Sequence, residues 1–270
     1  MYPFNFSKRI YSYIGLIIIV LIVISCNASR VLLPELYEDD TNWLKTESMH
    51  YFIYYRPGSP ASENIEKICK ELDSCFSDVL NQLQVNFTAK VHYYLYNSRD
   101  DIKRNTRRDY YGFAPEEFEC AAQIYASKSA KLDAHETVHV IVYNTIGVSK
   151  LDFLEEGFAE AIAHAHDEES AGKLSLHEQT EMLLYWDKLF SSEILANNNR
   201  FREISYSKGS DLYTECGSFV RYLIDQYGLD KFKFLLPRAS EDNYKKVFQE
   251  IYGKSIDDFE KEWHEFLRNY

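Results

Sequence analysis

The sequence predicts an α+β fold, with a small mixed sheet built by the N-terminal part of the chain and a mostly helical C-terminal half. Three observations carry this. Aromatic and β-branched runs with strand character all fall before residue 128. From Leu132 onward apolar residues recur at helical spacing, with breaks near Gly147, near Asn197-Asn198-Asn199 and near Gly228. The 270 residues, 46% of them hydrophobic, are enough for a sizeable core in one large domain or two lobes, and no internal repeat is present.

Residues 1–25 read as an export signal rather than part of the fold. Lys8 and Arg9 form a basic start, Ile14 to Ile24 is almost continuously apolar, and Ser25 is the small residue a signal peptidase requires before its cut. The apolar run is short for a permanent membrane span. Val23-Ile24-Ser25-Cys26 resembles a bacterial lipobox, which implies a lipid on Cys26; an uncleaved N-terminal anchor is the alternative. Either way the chain is expected to be exported and tethered to a bacterial membrane, facing the periplasm or the cell exterior. Residues 26–47, with acidic Glu38-Asp39-Asp40, read as a tether. The folded domain is then expected over 48–270, with a sheet-containing lobe over about 48–147 and a helical lobe over about 148–270.

Met49 to Tyr55 predicts a strand ended by the turn Arg56-Pro57-Gly58-Ser59-Pro60. Ser62 is expected to cap a helix reaching about Leu83, with Ile65, Ile68, Leu72, Phe76 and Val79 on one face. Lys90 to Tyr96 is a second strand, and the charged segment Asp100 to Arg108 is helix or loop. Ala121 to Ser127 is a third strand, which either offers an edge to an extended peptide or lies inside the sheet. His50 and His92 read as core or sheet-surface residues, and Trp263 and Phe266 as packing anchors of the last helix.

Charge and cysteine content narrow the function. A net charge of −12 argues against a nucleic-acid binder, which needs a basic surface to neutralise phosphates. Loss of residues 1–25 would remove two positive charges and no negative ones. Cys69, Cys75, Cys120 and Cys216 could form disulfides outside the cytoplasm, but their spacing dictates no pairing. Cys69 and Cys75 fall on nearly opposite faces of one helix, which argues against that pair. The chain has no Cys-x-x-Cys, so a thiolate zinc site is not expected.

The chemistry concentrates in His135-Glu136-Thr137-Val138-His139. On a helix, residues four apart share a face, so both imidazoles can reach one metal ion. Glu136, beside the first histidine, is placed to take a proton from a metal-bound water. Val138, Ile141, Val142 and Ile146 form the opposite, core-facing stripe, and Asp133 could cap the helix start. A zinc site with two histidines needs a third protein ligand. Downstream, Leu154-Glu155-Glu156-Gly157-Phe158-Ala159-Glu160-Ala161 places Glu156 and Glu160 one turn apart among small residues that would let this helix approach the first. Glu155, about 100° around the helix from Glu156, reads as solvent-exposed. His164 and His166 read as exposed residues near the helix end, and His177-Glu178-Gln179-Thr180-Glu181 as an exposed charged helix without a role.

Together, His135-Glu136-x-x-His139 and Glu156-Gly157-x-Ala159-Glu160 resemble the gluzincin branch of the zincin metallopeptidases, which includes thermolysin-like enzymes and the bacterial peptidase MA-like proteins. The resemblance implies a zincin-like fold and one zinc ion held by His135, His139 and Glu156. It also implies that Glu160 holds His135 through its other ring nitrogen. No third histidine stands at the metzincin spacing, which argues against that sister group. In similar gluzincins a downstream Tyr or His donates a hydrogen bond to the oxyanion; Tyr213 is the candidate here and Tyr206 the reserve.

The expected activity is zinc-dependent hydrolysis of a peptide or protein substrate. Glu136 would act as general base, and the lipid anchor would supply the membrane contact. The rival is a non-catalytic zincin-fold lipoprotein that serves as a binding or assembly module. Substrate preference, oligomeric state and choice of membrane are not encoded in these motifs.

Overall fold

The computed structural model describes residues 42–106, 109–116, 118–165 and 174–270. The expected export signal, Cys26 and His166 lie outside the described residues. Among those described, no helix is long and apolar enough to cross a membrane.

The fold is mixed α and β, with strands confined to the N-terminal side as expected. Strands β1 (Leu44–Glu47), β2 (Tyr51–Tyr55), β3 (Val91–Tyr96), β4 (Gly112–Phe113) and β5 (Cys120–Ile124) form one sheet in the order β1-β2-β3-β5-β4. The three central strands are parallel, with Ile53 level with Tyr93 and Tyr93 level with Ala121, and each edge strand is antiparallel to its neighbour. Alternation sends Tyr51, Ile53, Tyr93 and Leu95 into the main core, while Tyr94, Tyr96, Cys120 and Ala122 face a smaller cluster with Ile102 and Phe113.

Two expectations change at this level, and one choice between alternatives is decided. The tether reading fails over Leu44–Glu47, which pairs with β2; its residues are mostly exposed and carry no apolar alternation. The third strand offers no edge at Ala122 and Gln123, because β5 is paired there by β3 on one side and β4 on the other. The edge belongs to β4, too short for any periodicity to reveal. Helix α1 (Pro60–Leu83) is capped by Ser59, not Ser62: the Ser59 hydroxyl accepts the Ser62 amide at 3.1 Å, with Pro60 opening the helix.

After α2 (Arg99–Thr106), the second half runs through α3 (His135–Thr145), α4 (Asp152–Ala163), α5 (Leu176–Tyr185), α6 (Ser192–Leu195), α7 (Asn198–Tyr227), α8 (Leu229–Leu235), α9 (Tyr244–Tyr252) and α10 (Ile256–Arg268). Helix α7 bends at Lys208, whose φ of −136° and ψ of 31° are non-helical. One hydrophobic core runs from the sheet through α3 and α4 to α10, where Trp263 meets Phe219 edge-on at 5.4 Å. Trp263 and Phe266 therefore pack as the sequence suggests, Trp263 fully and Phe266 partly buried.

Helix α4 lies against both α3 and α7, and its small residues work on the α7 side. A Cβ on Gly157 would come within 2.6 Å of the Cys216 carbonyl oxygen and 2.8 Å of Val220. Conversely, a Cβ on Gly217 would come within 2.8 Å of the Glu160 Cβ. These reciprocal close approaches correct the expectation that Gly157 serves contact with the first helix. The seam sets how far α4, with its acidic residues, projects toward α3.

Candidate metal centre

Helix α3 begins at His135 with Ala134 in the cap position, where no side-chain cap forms; Asp133 Oδ1 instead accepts the His135 amide at 3.2 Å. Val138, Ile141 and Val142 are buried in the core, so the helix is anchored on the face opposite its histidines. That leaves His135, His139 and Tyr143 at successive turns of the other face, directed toward α4.

The three expected ligand atoms converge. His135 Nε2 lies 3.0 Å from His139 Nε2 and 3.0 Å from Glu156 Oε2, and His139 Nε2 lies 3.4 Å from the same oxygen. Ligands about 2.0–2.1 Å from a tetrahedral zinc stand about 3.3 Å apart, so this triangle has the size of one face of that coordination shell. His139 is buried and the other two are half-buried. Two imidazoles and a carboxylate are a donor set that suits zinc, and the spacing fits it.

Around this triangle, Glu160 bridges two histidines. Its Oε1 lies 3.1 Å from His135 Nδ1, approached off the ring N–H axis, and its Oε2 lies 2.8 Å from His164 Nδ1. His164 stands at the end of α4 as read, but it is half-buried against Glu160 rather than exposed. Glu155 is also corrected. It is half-buried, and its Oε1 accepts the Tyr143 hydroxyl at 2.5 Å, because α3 occupies the side where solvent was expected.

Burial opposes charge at every one of these groups, and partners decide the outcome. It would raise Glu156, but hydrogen bonds and charge from His135 and His139 hold its carboxyl well below the usual range. Burial likewise disfavours a charged His135, yet Glu156 and Glu160 raise it well above an ordinary imidazole. Glu160 is held down to about 2 by His135 and His164 against its burial. Glu136 goes the other way: burial pushes it up to about 8, with His135 opposing and Glu156 reinforcing. Burial also raises Glu155 to about 7, against His139 and Tyr143.

Two further elements close the site. A Cβ on Gly112 of β4 would collide with Glu136 Oε1 and come within 3.0 Å of the Ala122 carbonyl oxygen, so the edge strand runs directly against the Glu136 carboxylate. Tyr213 of α7 lies between His135 and Phe201, its ring centroid 6.3 Å from one and 6.1 Å from the other. Burial raises its hydroxyl above the ordinary phenol range, so it stays a donor at neutral pH. Tyr206, the reserve, is 80% exposed.

The structure thus brings together His135, Glu136, His139, Glu156, Glu160 and Tyr213. Sequence reasoning missed Gly112, Tyr143, Glu155 and His164. Tyr143 alone carried a readable signal, standing four residues beyond His139 as His139 stands beyond His135. The reading of His177 as exposed is also wrong: it is buried, with Nδ1 2.8 Å from Ser218 Oγ, while Glu178 forms a reciprocal capping pair with Ser175. No protein-family model matches the chain, and no curated protein aligns with it significantly.

Proposed function

We propose that the chain is a zinc-dependent metallopeptidase of zincin-like fold, exported and held at a bacterial membrane by a lipid on Cys26. The observation that carries this reading is the convergence of His135 Nε2, His139 Nε2 and Glu156 Oε2, with half-buried Glu136 beside them. These three residues would hold one zinc ion. When bound, the ion supplies Lewis acidity toward a water molecule and the scissile carbonyl.

The side chains supply the rest. Glu136 takes the proton of the attacking water on its carboxylate and passes it to the leaving amine. Its burial raises its proton affinity, the property such a shuttle needs, and the β4 backbone at Gly112 limits where it can swing. Glu160 sets its carboxylate against the outer nitrogen of His135, 3.1 Å away, and its charge there favours a proton on Nδ1 and so an Nε2 lone pair directed inward. Tyr213 donates its hydroxyl proton toward the developing oxyanion.

The test uses the purified full-length chain and a mixed peptide library read by mass spectrometry. Wild type should carry about one equivalent of zinc and cleave peptides. Glu136→Gln should keep the metal and lose about 10²–10⁴-fold in rate, while His135→Ala should lose the metal. Zinc without cleavage by the wild type would sink the peptidase reading and favour a binding module. Full metal content in His135→Ala would sink the metal site itself.

A further inference from the structure

The two histidines of α3 are supported differently. His135 meets a carboxylate directly, whereas the outer nitrogen of His139 faces Tyr143 Oη at 3.4 Å, with the two rings nearly parallel at 24°. The Tyr143 hydroxyl in turn donates to Glu155 Oε1 at 2.5 Å. A hydroxyl has one proton. With that proton committed to Glu155, Tyr143 Oη can only accept from His139, so Nδ1 must carry the hydrogen and Nε2 the lone pair. Reversing the hydroxyl would let it donate to Nδ1, placing the ring proton on Nε2 and blocking it as a ligand.

We propose that Tyr143 and Glu155 form a directed hydrogen-bond relay that fixes His139 in its metal-binding tautomer, with Glu155 setting the direction. This rests on the metal-centre reading above. Both are positioning residues: neither touches the ligand triangle, and each acts through His139. The role gives a reason for an acidic side chain immediately before Glu156 that also reaches α3, one turn further along at Tyr143. Neighbouring residues of α4 thereby serve the same imidazole from two sides, Glu156 facing Nε2 and Glu155 reaching Nδ1 through the phenol.

The experiment measures zinc affinity of the full-length chain by competition with a chromophoric chelator at fixed pH, beside thermal melts of the metal-free protein. Tyr143→Phe and Glu155→Leu should each weaken zinc binding about tenfold, as loss of an outer partner does. The double variant should be no weaker than either single one, since breaking a relay once is enough. Glu155→Gln keeps an acceptor and should stay within about threefold of wild type. His139→Ala should lose tight binding altogether. Unchanged affinity in both Tyr143→Phe and Glu155→Leu overturns the relay, as does a lowered metal-free melting temperature at wild-type affinity. Multiplying effects in the double variant, or Glu155→Gln as weak as Glu155→Leu, also overturn it by showing independent or purely charge-based action. Wild-type affinity in His139→Ala instead defeats the metal site on which the relay rests.

Discussion

Adjacent residues of α7 serve two buried histidine clusters of opposite character. Gly217 packs on Glu160 at the candidate metal centre, and Ser218 bonds His177 on the α5 and α10 side. Burial penalises a charged imidazole in both places. At His135 two carboxylates overcome that penalty, whereas His177 bonds the Ser218 hydroxyl, itself accepting from Trp263 Nε1 at 3.2 Å, and the more distant charges of Asp225 and Arg221 pull it in opposite directions. Burial wins there and pulls His177 down to about 4. The comparison teaches that a buried histidine is not in itself a reagent. Converging carboxylates make it one; without them it is a neutral packing residue that happens to carry nitrogens.

The largest expected effect tests the neutral half of that contrast. An unfolded His177 titrates near 6.5 and the folded one near 4, so its stabilising contribution is complete above pH 6.5 and is lost as pH falls toward 4. The full span amounts to about 3 kcal/mol. Buried Glu215, whose carboxyl is raised well above its ordinary value, acts in the opposite sense and loses its contribution as pH rises. The stability difference between wild type and His177→Phe isolates the first term. In urea unfolding it should shrink by about 3 kcal/mol from pH 7 to pH 4; a pH-independent difference would contradict a neutral His177.

At the candidate metal centre, the proposed peptidase reading expects Gly112→Ala to lower peptide cleavage about hundredfold by pushing Glu136 out of line, with zinc content unchanged. Activity near wild type would mean that Glu136 does not depend on the edge strand. Glu160→Gln removes the anion behind His135 and should weaken zinc binding by about tenfold or more, measured by chelator competition. Ser218→Ala tests the link between the two clusters. Stripping the partner from both His177 and Trp263 should cost about 1–3 kcal/mol of unfolding free energy while zinc affinity stays put. A large loss of affinity there would show that the two clusters are coupled through α7.

The expected ligands and Glu160 were legible because helical periodicity relates residues on one element: His135 and His139, and Glu156 and Glu160, each stand one turn apart. What periodicity cannot supply is the identity of the neighbour facing a given side chain. Glu155 lies 100° from Glu156 as read, but that direction meets Tyr143 rather than water. His177 sits on a helix whose polar letters suggest exposure, yet Phe266 and Tyr270 close over its ring. Strands β1 and β4 escaped for a different reason: one lacks apolar alternation and the other has two residues. Gly112 was invisible with them, since its importance lies in what a side chain there would strike.

The connection between α3 and α4 has a consequence for the proposed metal site. It turns at Gly147, whose φ of +126° suits no side-chain-bearing residue, and it joins the helix of His139 to that of Glu156. An ion shared by those two residues would close this stretch into a loop, much as a disulfide does, and lower the entropy of any opened state. Loading with zinc would then shield the backbone from proteolysis, including cleavage by a second copy. Starved of the ion, the same chain would lose its activity and its resistance to digestion together.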